Sequence, residues 1–313
     1  MKPKIFITRR IPLVAKELLS PYFDVEMNSE NSPLSRDKLK EIVRDYEGIL
    51  STVTERFDED TLNNAQKLKV ISNYAVGLDN INLKLAAEKG IAIYNTPDVV
   101  TYSTADMTLS LLLSLIRKID LAQRFVHENK WKCWDPELFL GEELHGKTFG
   151  IIGLGKIGKE VAKRAYGFGL NVVYFTRTPT KFDEEYYNTK IKAVDLDTLL
   201  KQSDYISIHL PLTEETKHLI GSDAFSKMKN KPIILNLSRG GIVDTGSLIY
   251  ALENGQIKGA CLDVTNPEPL PENHPLLKYP NCIITPHIGT ATTECRINMA
   301  TLAAKNLINH FRS

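Results

Sequence analysis

Apolar residues fall along this chain in short runs separated by stretches of helical period, and that alternation predicts the architecture. In the first hundred residues the runs at 4–8, 23–27, 48–53, 69–73 and 91–94 predict strands. Between them, 34–46 and 82–90 are amphipathic at helical spacing. Such alternation implies a parallel sheet with helices on both faces. Thr96-Pro97 interrupts the pattern, and 101–126 then reads as one long helix, apolar at Met107, Leu111, Leu115, Ile119 and Ala122, a strut between two units. A second alternation follows, with strands expected near 148–153, 171–176, 204–209, 232–237, 259–264 and 282–285. The polar segment 179–190 reads as an exposed loop. The last stretch, 292–311, is helical, with Ala300, Ala303, Ala304, Leu307 and Ile308 on one face, and is expected to return to the first unit.

The sharpest local signal is Phe149-Gly-Ile-Ile-Gly-Leu-Gly-Lys-Ile-Gly158. Gly153, Gly155 and Gly158 have the spacing of a dinucleotide-binding turn: one glycine for the turn, one for approach of a pyrophosphate, one for close helix packing. Ile151 and Ile152 precede it, while Val161, Ala162, Ala165 and Phe168 follow at helical spacing. Gly169 closes that helix and Asn171-Val-Val-Tyr-Phe175 begins the next strand, which completes a βαβ unit. The first hundred residues carry no such fingerprint, so the second half is the expected nucleotide unit.

Bulk numbers narrow the class. The 313 residues suffice for two domains, and 42% hydrophobic with 25% charged residues is a soluble globular composition. A net charge of +1 gives no reason to expect nucleic acid or a membrane surface as partner. No apolar run is long enough to span a bilayer, and no secretory leader precedes the first strand, so a cytoplasmic protein is expected. Cys133, Cys261, Cys282 and Cys295 form no C-x-x-C pair; free thiols, and no metal site, are the expectation.

Three loops at strand ends hold the remaining chemistry: Asn236-Leu-Ser-Arg-Gly-Gly-Ile-Val-Asp244, Leu262-Asp-Val-Thr-Asn-Pro-Glu-Pro269 and Thr285-Pro-His-Ile-Gly289. In an open parallel sheet, ligands bind beyond the carboxyl ends of the strands. Arg239 offers a planar fork for a carboxylate and an adjoining carbonyl. His287 can give or take the proton of an alcohol, and Glu268, if adjacent, would hold the imidazolium. From the residues alone, Arg239 could equally be a surface ion-pair partner, His287 a loop residue and Glu268 simply exposed.

Taken together these motifs are specific. Gly153-Leu-Gly-Lys-Ile-Gly158, His209-Leu-Pro-Leu-Thr213, Leu237-Ser-Arg-Gly-Gly241, Leu262-Asp263 with Glu268-Pro269, and Pro286-His-Ile-Gly289 resemble the D-isomer-specific 2-hydroxyacid dehydrogenases over nearly the whole chain. The resemblance implies two Rossmann-like or flavodoxin-like, doubly wound α/β domains with a cleft between them. Residues 1–99 and 288–313 would form the substrate-binding domain and 100–287 the dinucleotide-binding domain. It also implies that Arg239, Glu268 and His287 are the catalytic set. Cofactor contacts carry over to Gly153, Leu154, Gly155, Lys156, Ile157, Gly158, Thr176, Arg177, Thr178, His209, Pro211, Thr216, Leu237, Ser238, Arg239, Asp263, His287 and Gly289. Substrate contacts carry over to Val76, Gly77, Arg239, His287 and a partner-subunit Trp134. Val76 and Gly77 are also read as lying just before a helix, where an anion is welcome.

Cofactor choice turns on the strand after the glycine loop. NAD-preferring sites place an acidic residue at its end. Here Thr176 stands there, followed by Arg177 and Thr178. A hydroxyl and a guanidinium welcome a 2′-phosphate, so NADP(H) is expected over NAD(H). The Ser/Thr-Arg-Thr pattern and the Trp131–Trp134 loop resemble glyoxylate/hydroxypyruvate reductases, which implies reduction of a small 2-oxo acid by a homodimer. Alternatives are a dehydrogenase acting on glycerate, phosphoglycerate or a larger 2-oxo acid, a phosphite- or formate-type dehydrogenase, or a non-enzymatic NAD(P)-sensing binding protein.

Overall fold

The computed structural model describes residues 2–30, 32–177 and 190–312. The expected loop at 179–190 therefore lies outside the described residues, apart from Lys190. The chain divides into two compact units, Met1–Val100 with Thr290–Ser313, and Thr101–Gly289.

In the first unit, β1 (Lys4–Ile7), β2 (Asp24–Met27), β3 (Gly48–Ser51), β4 (Val70–Asn73) and β5 (Ala92–Tyr94) form one sheet in the order β2-β1-β3-β4-β5. All pairings are parallel. This is the flavodoxin-like order, with its reversal between β1 and β3. β3 and β4 are buried throughout, as strands covered on both faces must be. The helix Thr293–Arg312 does belong to this unit; it buries Cys295, Met299, Ala300, Ala303, Ala304 and Leu307, and its small residues allow close approach to β4.

The second unit holds β6 (Thr148–Ile152), β7 (Asn171–Phe175), β8 (Lys192–Ala193), β9 (Tyr205–Ile208), β10 (Ile233–Asn236), β11 (Gly259–Leu262) and β12 (Cys282–Ile284). They form a parallel sheet in the order β12-β11-β10-β9-β6-β7-β8. The order reverses between β6 and β9, so the carboxyl ends of those two strands flank the crevice where this fold binds dinucleotides. β8 is an exposed pair of residues at the sheet edge, too short to leave a periodic signal.

The expected helix at 101–126 is two helices, Thr101–Ile116 and Ile119–His127. Lys118 between them is left-handed, with φ 53°. The cause is tertiary. The Ile116 carbonyl accepts from Glu142 N–H (3.2 Å), and Gly141 lies so close to that carbonyl that any Cβ would collide with it. Periodicity, a local signal, carries no trace of a backbone contact 25 residues away.

Candidate active site

The glycine loop joins β6 to the helix Lys156–Gly167. Each glycine meets a different requirement. Gly153 has φ +99°, and a Cβ there would sit 2.6 Å from the His209 carbonyl oxygen. At Gly158 a Cβ would run into the Gly153 carbonyl oxygen. Gly155, the N-cap of the helix, is exposed, and a Cβ there would meet nothing within 4 Å. Folding demands the first and third glycines; the second keeps open the space a pyrophosphate needs beside a helix N-terminus. Leu154 faces the core and Ile157 packs against it, so their side chains serve folding, while Lys156 is exposed.

Thr176 is partly buried and Arg177 exposed at the end of β7; Thr178 lies outside the described residues. Arg177 Nη1 stands 3.9 Å from Glu215 Oε2, a neighbour that the motif pattern had not singled out. At the end of β9, burial pushes the His209 imidazole down to about 4, and its Nε2 lies 2.8 Å from Ser207 Oγ. His209 is thus a neutral strand-end residue. Thr216 is buried, donates to the Pro211 carbonyl (2.7 Å) and accepts from Thr213 N–H (2.8 Å). Its hydroxyl closes the 211–216 loop, and exposed Pro211 is presented by that closure.

The ends of β10, β11 and β12 bring the three ionisable candidates onto adjoining loops. His287 Nδ1 lies 2.6 Å from Glu268 Oε1. Burial by itself raises the Glu268 carboxyl. The hydrogen bond and attraction to His287, the Thr265 N–H and the charge of Arg239 outweigh it and hold the group below its ordinary value. Arg239 Nη1 donates to the Ser238 carbonyl (2.8 Å). The Arg239 loop is pressed onto the Glu268 loop at Gly240, where a Cβ would overlap the Thr265 carbonyl.

Two buried side chains hold these loops. Asn236, 1% exposed, accepts from Ser238 N–H (3.1 Å) and Ser238 Oγ (2.9 Å) and donates to the Arg239 carbonyl (2.9 Å). Asp263, 2% exposed, accepts from Thr285 Oγ1 (2.6 Å), Ile288 N–H (2.8 Å) and Gly289 N–H (2.6 Å), bracketing His287. Asp263 N–H donates to the Asn236 carbonyl (3.0 Å), which ties the two clamps together. His287 sits within the loop that Asp263 holds, at φ 55°, a conformation that residues other than glycine adopt rarely. Leu237 is buried, so only its backbone borders the loop. Sequence reasoning passed over Asn236 and Gly240; the signal was a polar residue closing an apolar strand, then Arg-Gly-Gly.

In the first unit, Val76 is exposed and Gly77 partly buried. The helix expected at 82–90 is Leu83–Glu88, capped by Asn82, so Val76 and Gly77 do not lie at its N-terminus. The intervening Ile81 instead bridges to Phe57. Three asparagines order the loop: Asn95 donates to the Val76 carbonyl (2.8 Å), Asn73 to the Gly77 carbonyl (2.9 Å), and Asn73 to Asn80 Oδ1 (3.1 Å). Trp131 and Trp134 are 59% and 79% exposed. Among the described residues no cluster of metal-ligating side chains occurs, and no helix is long and apolar enough to cross a membrane.

A parallel sheet with this strand order and a glycine turn at its reversal defines the class: a Rossmann-type dinucleotide-binding protein. The family model for "D-isomer specific 2-hydroxyacid dehydrogenase, NAD binding domain" matches residues 109–289. A glyoxylate reductase of Thermococcus litoralis is 46% identical over 312 residues, covering 98% of this chain and 93% of the relative. One from Aeropyrum pernix is 41% identical over 311 residues, covering 98% and 92%. The crystal structure of an NADPH-dependent glyoxylate/hydroxypyruvate reductase from Sinorhizobium meliloti, with NADP and malonate, superposes with a TM-score of 0.84 at 30% identity, over 100% of this chain and 95% of that one. The chain belongs to the D-isomer-specific 2-hydroxyacid dehydrogenases and uses a nicotinamide cofactor.

Proposed function

We propose that this protein reduces a small 2-oxo acid of the glyoxylate or hydroxypyruvate kind to the D-2-hydroxy acid, with NADPH preferred over NADH. The observation that carries the chemistry is the 2.6 Å His287–Glu268 pair between two loops, the Glu268 loop being pressed onto that of Arg239. The relatives' own activity as glyoxylate reductases supports the substrate class.

In this reading the Arg239 guanidinium binds the substrate carboxylate and its neighbouring carbonyl oxygen through two parallel hydrogen bonds. A bound nicotinamide supplies the hydride that forms the new C–H bond. As the carbonyl π bond breaks, negative charge collects on oxygen, and His287 donates the proton from Nε2, since Nδ1 is engaged by Glu268. Glu268 holds the ring in one orientation through the change of charge. Val76 and Gly77 are assigned to carboxylate binding, and Asp263 and Asn236 to loop positioning. The first unit is assigned to substrate and the second to the dinucleotide.

NADPH preference rests on Thr176 and Arg177 at the strand end, where an acidic side chain would repel a 2′-phosphate. The protein is read as a cytoplasmic homodimer whose Trp131–Trp134 segment narrows the partner's substrate site. Initial rates with NADPH and NADH, against glyoxylate, hydroxypyruvate, pyruvate and bulkier 2-oxo acids, test the whole assignment. Faster turnover of the two small acids with NADPH is expected. A tenfold or greater preference for NADH contradicts the cofactor assignment, and a preference for bulky acids contradicts the substrate assignment.

A further inference from the structure

We propose that Glu215 is a specificity-determining residue that sets how strongly the protein discriminates between a 2′-phosphorylated dinucleotide and its unphosphorylated counterpart. The inference rests on the reading of Arg177 as the group that faces the 2′ position. Both residues belong to the second unit, on loops that follow β7 and β9. Glu215 Oε2 stands 3.9 Å from Arg177 Nη1, and both side chains are largely exposed.

The Glu215 carboxylate has a hydrogen-bond partner on its own loop. Thr213 Oγ1 donates to Oε2 (2.6 Å), and Thr213 is tied through Thr216 to Pro211. A 2′-phosphate reaching Arg177 therefore meets one cation and one neighbouring anion. It carries nearly two negative charges at neutral pH. At a separation of about 7 Å in water-like surroundings, a carboxylate opposes such a group enough to weaken binding about fivefold. A ribose hydroxyl carries no charge and feels no such opposition. Glu215 thus acts on one ligand of the pair and tempers the preference that Arg177 creates. Its effect is electrostatic at an exposed site, so salt must erase it.

Glu215→Gln isolates the charge, since the amide oxygen can still accept from Thr213. The measurement is equilibrium binding by calorimetry of adenosine 2′,5′-bisphosphate and of 5′-AMP, without substrate or turnover. The affinity ratio of the two ligands is expected to rise about fivefold over the wild type at low ionic strength, and the difference to vanish at molar salt. Arg177→Gln is expected to lower the same ratio. The wild-type ratio tests the NADPH assignment; the change on Glu215→Gln tests the role of Glu215. A wild type that favours 5′-AMP, with a rising ratio in Glu215→Gln, would sink the first and keep the second. An unchanged ratio means the pair is too loosely held to matter, and a falling ratio means Glu215 orients Arg177 toward the phosphate. Either outcome overturns the proposal.

Discussion

At the scale of single residues, the candidate site divides into groups to which chemistry is assigned and groups that hold their loops. Arg239, Glu268 and His287 were singled out by residue type and by their places after strand ends, but only the family resemblance named them as a set; taken alone, each could have been an ordinary loop residue. Asn236 was not singled out, because its role lies in hydrogen bonds made by a buried amide, and an asparagine in a sequence does not state its partners. Asn236→Ala leaves the Ser238 N–H without its acceptor and the Arg239 carbonyl with the Ile242 N–H (3.2 Å) alone. The expected cost is about 1–3 kcal/mol in urea unfolding, with a fall in kcat/KM larger than that of a surface control. No change in either would show that the Arg239 loop is ordered by other means. Asp263 was singled out for the cofactor; its carboxylate accepts three hydrogen bonds from the 285–289 loop, a positioning role its sequence context did not disclose. Glu268 supplies a test by pH. A carboxyl held below its ordinary value stabilises the fold above the unfolded value and loses that contribution as pH falls through the folded one. The stability of wild type relative to Glu268→Gln should therefore shrink as pH drops below about 4.5, the ordinary value. A difference that grows on acidification would contradict the assignment.

At the scale of elements, the βαβ unit around the glycine loop was readable because every requirement in it is local. A glycine turn, a helical apolar face and a closing glycine lie within about twenty residues of one another. The helix start at Leu83 was readable, but the break at Lys118 and the bridge that fills the stretch between Gly77 and that helix were not. Both depend on contacts with distant backbone, Glu142 with Ile116 and Ile81 with Phe57. The glycine loop yields a graded prediction. Gly158→Ala and Gly153→Ala should each lower stability by several kcal/mol, on the order of an overpacked or strained core position. Gly155→Ala should cost under about 1 kcal/mol in chemical denaturation and instead weaken binding of the dinucleotide, measured by fluorescence quenching. Equal losses of stability at all three positions would refute the division of labour.

At the scale of the molecule, two parallel α/β sheets were predictable because two runs of strand–helix alternation leave few topologies open. Assembly is a different matter. It depends on a surface, and Trp131, Trp134, Ile119 and Val126 expose apolar area on the second unit. Exposed groups of this kind mark interaction surfaces more often than scattered single residues do. Light scattering after size exclusion should therefore return twice the chain mass of 35.2 kDa. Trp134→Ala should loosen selectivity between small and bulky 2-oxo acids; a monomer with unaltered selectivity would remove the segment from the account.

The most direct measurement is the steady-state rate of NADPH consumption with glyoxylate, compared between wild type and His287→Ala. Turnover by the wild type is expected, with a kcat at least about a hundredfold lower in the variant, the loss expected for a positioned proton donor. A wild type that consumes neither NADPH nor NADH with any 2-oxo acid, or a His287→Ala variant within a few-fold of wild type, would contradict the proposed function.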